Sequence, residues 1–421
     1  MSAFGPPAGC VEALRPARLE ATLRLEGAPE LAAALRGAMP GWPLDAVPAS
    51  APSIHSSPDE ALTAWRTADG YAQAVPGRTR PRRLPGTATA AASLVADLID
   101  RLLEARPSQI GLHCAAVEID ERLVLFPATH RAGKSLLCAA FAAAGHRVFA
   151  DDVLLLDVDG EGRATGEALG IAPRLRLPLP ASLPTDLAGF IAAHERVSDR
   201  RYGYLTLDRD RLADHGERRP IGAIVLLDRL PGTPSPRLTR LSPGDGLLQL
   251  LGQSLAGATG THDLGGRVAR LLPMMRGLPC RSLRYDDPVA AVARVVSGVA
   301  EPHRDEQKPL SSSPVPAFGA RESTPAVGDS SRAWRRVPVA AEYPLGEEHF
   351  VVDADGGVHR LSAVASGVWR LLGLAALGPA EVAALLAERF TEVAPARLRA
   401  DAAGLFDTLA AVGLIERAVP S

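Results

Sequence analysis

Lysine is nearly missing from this chain. Of its 46 basic residues only Lys134 and Lys308 are lysines, and all the others are arginines. A sequence drawn so strongly to arginine that keeps an ammonium group at 134 needs a flexible point charge there, because the guanidinium fork is not equivalent. Aromatic residues make up 4% of the chain, so Leu, Ala and Val must fill the core, and the 47% hydrophobic content allows one. Cys10, Cys114, Cys138 and Cys280 are scattered with no CxxC pair, which argues against a disulfide framework and a zinc site. A net charge of −2 leaves no electrostatic footprint for nucleic acid or an anionic membrane. No uninterrupted apolar run of about 18 residues occurs, so no membrane span is expected. The opening MSAFGPPAGC has no basic stretch leading into an apolar one, and the expectation is a cytoplasmic protein without a signal peptide.

What is present centres on His113 to Asp157. Leu123, Val124, Leu125 and Phe126 form a short apolar run of the kind a buried strand needs. The loop Ala128-Thr129-His130-Arg131-Ala132-Gly133-Lys134-Ser135 follows and opens an Ala/Leu-rich helix ending near Gly145, after which Val153 to Leu156 make a second strand. This is the strand–loop–helix setting of a phosphate-binding P-loop. Loop amides and the free N–H groups of the first helical turn would cradle a polyphosphate. Lys134 would reach the β/γ-phosphates and Ser135 would place a hydroxyl on Mg²⁺. The pattern has Gly at its first position and this chain has Ala128, which tolerates a left-handed conformation poorly. The bland alternative is an ordinary turn that spells Gly-Lys-Ser.

Asp151-Asp152 begins the strand after that helix. A serine hydroxyl is a weak nucleophile and gains from a carboxylate that accepts its proton, which suits Asp152; Asp151 beside it is a candidate Mg²⁺ ligand. The alternative is a polar strand-opening turn. His113 stands at the polar edge of the strand Ile110 to Val117, where a satisfied core histidine is the plain reading and near-neutral proton handling the functional one.

Gly145-His-Arg-Val-Phe-Ala-Asp-Asp152, the Gly-Lys-Ser loop and His113-Cys114 at its distance upstream together resemble HPr kinase/phosphorylase, a bacterial serine kinase with a P-loop on a phosphoenolpyruvate-carboxykinase-like core. The resemblance implies that fold, ATP or another nucleoside triphosphate with Mg²⁺, catalytic roles for His113, Lys134 and Asp152, and an oligomer. Leu136 stands where the family has Glu, and the family's metal-binding signature Glu has no counterpart in Gly170-Ile-Ala-Pro-Arg-Leu-Arg-Leu-Pro-Leu-Pro180. That Pro-Arg-x-Arg-Leu-Pro form resembles the HPr-kinase-related proteins encoded beside peptide-modification genes. Arg174 and Arg176 alternate on one face of an extended segment and suit phosphate oxygens or a plain structural edge.

Four regions are expected: a weakly patterned accessory region over 1–85, an α/β P-loop domain over 86–300, a tether over 301–332, and a small α+β domain over 333–417. In the first, Leu19 to Leu25 alternates like a strand, Pro29 to Leu35 reads as a helix, and a strand pair surrounds Trp65 and Tyr71. In the second, Ala91, Leu94, Val95, Leu98, Ile99, Leu102 and Leu103 follow helical spacing, and Asp199 to Arg201 with Tyr202 and Tyr204 could form a mobile substrate loop, which nothing in the sequence decides. The tether is rich in Pro, Ser and charge and cannot bury enough surface to order itself.

In the last region, strands flank Asp353-Ala-Asp-Gly-Gly, Ser362 caps a helix through Trp369, Gly378-Pro379 opens a second, and Leu398, Ala402, Leu405, Leu409 and Val412 stripe a third. Leu361-Ser-Ala-Val-Ala-Ser-Gly-Val-Trp369, Pro379-Ala-Glu-Val382 and Leu405-Phe-Asp-Thr-Leu-Ala-Ala-Val-Gly-Leu-Ile415 resemble PqqD, a winged-helix-like peptide chaperone of ribosomal peptide modification. The resemblance implies a precursor or leader peptide bound as an added strand at Phe350, Val351 and Val352 beside the third helix. A DNA-binding winged helix is the other reading, and its basic recognition helix is lacking.

The combined expectation is a kinase that phosphorylates a Ser or Thr hydroxyl of a peptide captured by its C-terminal module. The alternative is a non-catalytic adaptor that presents peptides to a partner modification enzyme and keeps a degenerate nucleotide site. A third reading is a small-molecule kinase.

Overall fold

Leu94, Leu98 and Leu102, with Val95, Ile99 and Leu103, turn one side of the helix Thr87–Ala105 into apolar core. Each such side chain contributes about 1.5–3 kcal/mol when fully buried rather than exposed. The computed structural model describes residues 11–48, 61–75, 80–128, 132–255, 264–300 and 333–418. These fall into two units, 1–261 with 277–305 and 262–276 with 306–421. The expected tether, 301–332, lies outside the described residues.

The leading residues fold as a six-stranded sheet in the order Leu44–Val47, Val11–Pro16, Leu23–Glu26, Leu62–Thr67, Gly70–Gln73, Arg82–Leu84. The boundary expected at residue 85 does not separate two cores. Leu14, Leu23, Leu35 and Trp42 share one apolar cluster with Leu94, Leu98, Val153, Leu155 and Tyr204. The strands alternate, and the faces presented by Leu23 and Leu25 and by Leu62 and Ala64 are buried in that shared core. The accessory region is therefore a layer of the first unit.

A second sheet runs Ala164–Glu167, Val153–Val158, Ile110–Ile119, Arg122–Pro127, Arg218–Arg229, Cys280–Tyr285, Arg237–Arg240. Ala164–Glu167 also pairs with Arg218–Arg229, which closes the first five strands into a ring. Asp120 and Glu121, both at positive φ, form the two-residue hairpin turn between Ile110–Ile119 and Arg122–Pro127. Arg218–Arg229 is parallel to both Arg122–Pro127 and Cys280–Tyr285. The loop that follows Pro127 thus lies at the carboxyl end of the parallel strands, where open α/β sheets place their ligands. The helix Lys134–Ala143 buries Leu137, Cys138 and Phe141 in a cluster with Phe126, Val225 and Leu283.

Of the stretch open to a substrate-loop reading, residues 199–201 are the turn of a hairpin, and Tyr202 and Tyr204 lie on its second strand. Arg174–Arg176, Tyr202–Leu205 and Glu195–Ser198 pair as three antiparallel strands, and Tyr204 is buried among them. Repeated polar residues hid this hairpin, since Glu195–Ser198 buries neither face fully.

In the second unit, Ala341–Leu345, Glu348–Val352 and Val358–Leu361 form an antiparallel sheet. The helices Ala363–Leu374, Pro379–Arg389 and Pro395–Ala411 complete a core of Val351, Trp369, Val382, Phe406 and Leu409. Ser362 caps the first through Ala365 N–H, and the Glu381 carboxylate accepts from Gly378 N–H at the start of the second. The helix Leu264–Met275 is counted with this unit and runs near Ala341–Leu345. No helix among the described residues is long and apolar enough to cross a membrane.

Candidate functional site

Gly133 carries the conformational demand of the loop. Its φ is +93°, and a Cβ there would stand 2.7 Å from Tyr285 Oη. Ala128 is not among the residues at positive φ, so the missing first glycine imposes no left-handed strain. Lys134 follows as the first helical residue and is buried, with Nζ donating to the Ala128 carbonyl at 2.6 Å, which joins the two ends of the loop. Burial lowers the Lys134 pKa, while the Asp151 and Asp152 carboxylates oppose that shift. Tyr285 Oη donates to the Ala132 carbonyl at 3.3 Å and braces the loop from the neighbouring parallel strand. Thr129, His130 and Arg131 lie outside the described residues.

Ser135 Oγ donates to Asp151 Oδ2 at 3.0 Å, and the backbone N–H of Arg174 donates to the same oxygen at 2.9 Å. The other oxygen, Oδ1, is buried with no hydrogen-bond partner. Burial raises the Asp151 pKa and the Asp152 charge adds to it, against the Arg174 N–H and the Ser135 hydroxyl. An unsatisfied carboxylate oxygen beside a serine hydroxyl is a hard-oxygen pair that fits Mg²⁺, an ion that takes one or two protein ligands and completes its shell from phosphate and water. Among the described residues no group of three or more His, Cys, Asp or Glu side chains could hold a metal by itself.

Strand register delivers Asp152 to His113. Val153 lies opposite His113, and Cys114 N–H donates to the Asp152 carbonyl at 3.1 Å. His113 Nε2 then stands 3.1 Å from Asp152 Oδ1, and the Arg174 guanidinium donates to Oδ2 at 3.3 Å. Burial would raise the Asp152 pKa, but the His113 hydrogen bond and the Arg174 and His113 charges, with Lys134, outweigh it and hold the carboxyl below the usual range. Arg174 is itself placed 4.9 Å over the Tyr202 ring. A cavity of about 30 Å³ opens beside the two aspartates, walled by Val95, Ile99, Ile171, Arg174 and Tyr204.

The structure therefore brings together His113, Ala132, Gly133, Lys134, Ser135, Asp151 and Asp152, residues from five separate stretches of chain once Arg174 and Gln253 are included. Gln253, whose Oε1 stands 2.9 Å from His113 Nδ1, carries no sequence signal. Cys114 and Cys138 lie nearby, and burial pushes both thiols up, which leaves them unreactive packing groups.

Phe350, Val351 and Val352 require a correction. They belong to the central strand of the C-terminal sheet, with Ala341–Leu345 on one side and Val358–Leu361 on the other. All three are buried, so neither their backbones nor their side chains are open to an added strand. The sheet's edges are Ala341–Leu345 and Val358–Leu361. Phe350→Ala is expected to cost about 3–5 kcal/mol of stability through the cavity it leaves. Chemical denaturation of the full chain checks this, and a loss of peptide binding without a loss of stability would restore the original assignment.

Residues 348–415 match the family model for coenzyme PQQ synthesis protein D (PqqD). The C-terminal end of the chain thus carries a PqqD domain. None of the curated proteins matches the chain. Among solved structures, the HPr(Ser) kinase/phosphatase from Coxiella burnetii matches with 13% identity over 45% of this chain and 93% of that one, at a TM-score of 0.22. A TM-score of that size carries no argument about fold or activity.

Proposed function

We propose that the first unit is a nucleotide-dependent kinase with a P-loop core of the HPr kinase type, acting on a Ser or Thr hydroxyl of a peptide held by the PqqD domain. The observation that carries this reading is the convergence of Lys134, Ser135, Asp151, Asp152 and His113 at one point beyond the parallel strands. Lys134 and the loop amides would hold the phosphates, and Ser135 with Asp151 would hold Mg²⁺. The metal, when bound with ATP, neutralises charge on the β- and γ-phosphates. Asp152 accepts the proton of the acceptor hydroxyl as its oxygen bonds to the γ-phosphorus and the bond to the β-phosphate oxygen breaks. His113 and Arg174 keep Asp152 oriented and ionised. The setting for this chemistry is the modification of a ribosomally made peptide, in keeping with the PqqD match.

The peptide would add as a strand along Val358–Leu361, the edge away from the neighbouring helix Leu264–Met275. Carrying the peptide on the same chain would raise its effective concentration at the first unit.

A second reading, a peptide-binding adaptor with a degenerate nucleotide site, is favoured by Lys134 turning back onto its own loop and Arg174 engaging Asp152. Calorimetry of Mg²⁺-ATP with wild type and Lys134→Ala separates the two. Micromolar binding that the substitution abolishes supports the kinase. Absence of binding by wild type would leave the adaptor.

A further inference from the structure

We infer that Gln253 is a positioning residue that fixes the ring orientation and the proton of His113; the inference deepens the kinase reading and rests on it for its catalytic consequence. The placement follows from backbone pairing. Ser242 caps the helix Pro243–Gln253 by accepting from Asp245 N–H at 3.1 Å, and the helix ends where Ser254–Leu255 begins to pair with Ile110–Ile119. Ser254 lies opposite Leu112 and Leu255 opposite Gly111, so the residue just before this short strand reaches the side chain of His113. Gln253 Oε1 stands 2.9 Å from His113 Nδ1.

The amide orientation has its own support, since Gln253 Nε2 donates to the Gly252 carbonyl at 3.3 Å, which turns Oε1 toward the ring. An amide oxygen only accepts, so Nδ1 must donate. That leaves Nε2 aimed at Asp152 Oδ1, 3.1 Å away. Both ring nitrogens therefore face acceptors, and Gln253 keeps a proton on Nδ1 whatever Nε2 carries. In the opposite arrangement Nε2–H would donate to Asp152 from a ring with a bare Nδ1, and Gln253 Oε1 is the atom that disfavours it. A third group that sets a catalytic imidazole's tautomer recurs in nucleophile–base arrangements, where the wrong tautomer is costly. Here the ring being set is the one that holds the proposed base.

The test is ¹⁵N NMR of full-length protein labelled at histidine, with the His113 signals identified by their loss in His113→Asn. Wild type should show a protonated Nδ1. Gln253→Leu removes the acceptor and should leave Nδ1 bare, with Nε2–H facing Asp152 as the ring's protonated nitrogen, whereas Gln253→Glu restores an acceptor and should return the wild-type pattern. Gln253→Asn, whose shorter amide withdraws from the ring, gives the same readout as Gln253→Leu in a variant with less apolar change. An unchanged His113 spectrum in the Leu and Asn variants would overturn the inference. These spectra need neither nucleotide nor peptide, so a wild type without kinase activity would refute the kinase reading while leaving Gln253 decided. In an active enzyme, Gln253→Leu should lower the transfer rate by roughly tenfold or more, with recovery in Gln253→Glu. A wild-type rate in Gln253→Leu would overturn the positioning role.

Discussion

Asp152→Asn is expected to leave Mg²⁺-ATP binding within a few-fold of wild type and to lower phosphoryl transfer by about 10²–10⁴, the usual worth of a positioned general base. The separation follows from geometry. The phosphate-holding groups are Lys134 and the loop, whose bond to Ala128 and brace from Tyr285 do not involve Asp152. Asparagine keeps the shape and an oxygen for Arg174 but cannot take a proton from a hydroxyl. The pH dependence has a defined sign. The Asp152 pKa is lowered, so the carboxylate stays ionised to more acidic pH than an ordinary aspartate near about 3.9. Its contribution to stability is present above that value and is lost as the pH falls through the lower, folded-state value. The acid limb of the rate profile should not be set by Asp152 above the ordinary carboxylate range. Nucleotide calorimetry and mass spectrometry of a candidate peptide after incubation with ATP are the measurements. Full transfer by Asp152→Asn would remove Asp152 from the mechanism.

How much of this was legible in the sequence depends on how local each signal is. The helix over Thr87–Ala105 and the strand over Arg122–Pro127 announce themselves because each buries a continuous stripe or run. Lys134 and Asp152 were legible for a different reason, since a rare ammonium and an acidic pair stand at the ends of such elements. Gln253 was not, because its partner is 140 residues away and is reached through a two-residue strand too short to show periodicity. Phe350, Val351 and Val352 show the opposite failure. An apolar run reads as a strand, but sequence does not say whether that strand is central or an edge, and pairing on both sides decides it. The leading region misled similarly, because its alternation is broken by short turns and its core partners come later in the chain.

Asp151→Asn should raise the stability of the nucleotide-free protein and, in the same molecule, remove its Mg²⁺-dependent affinity for ATP. The buried carboxylate has one oxygen engaged by Ser135 and the Arg174 N–H and one with no partner. Leaving a buried polar atom unsatisfied costs about 1–3 kcal/mol, and a charge costs more. The nearby Lys134 and Arg174 charges offset part of this, but the raised pKa says that desolvation prevails. Asparagine retains the accepting oxygen and removes the charge. Each kcal/mol moves Tm by about 2–4 °C in a domain of roughly 150–250 residues and by somewhat less in this larger unit, so a rise of a few degrees at most is expected at neutral pH. The sign is checked by titration. A group whose folded-state pKa is raised favours the fold at low pH and loses that advantage as pH rises through the folded value. Variant and wild type should therefore melt together in acid and diverge toward neutrality. Adding Mg²⁺ together with ATP should raise the melting temperature of wild type above the shift given by ATP alone, and that Mg²⁺-dependent increment should be missing in the variant, because only in wild type does an ionised oxygen meet the cation. A variant that melts lower than wild type at neutral pH, or that keeps its Mg²⁺-dependent shift, would mean that Asp151 is a structural group.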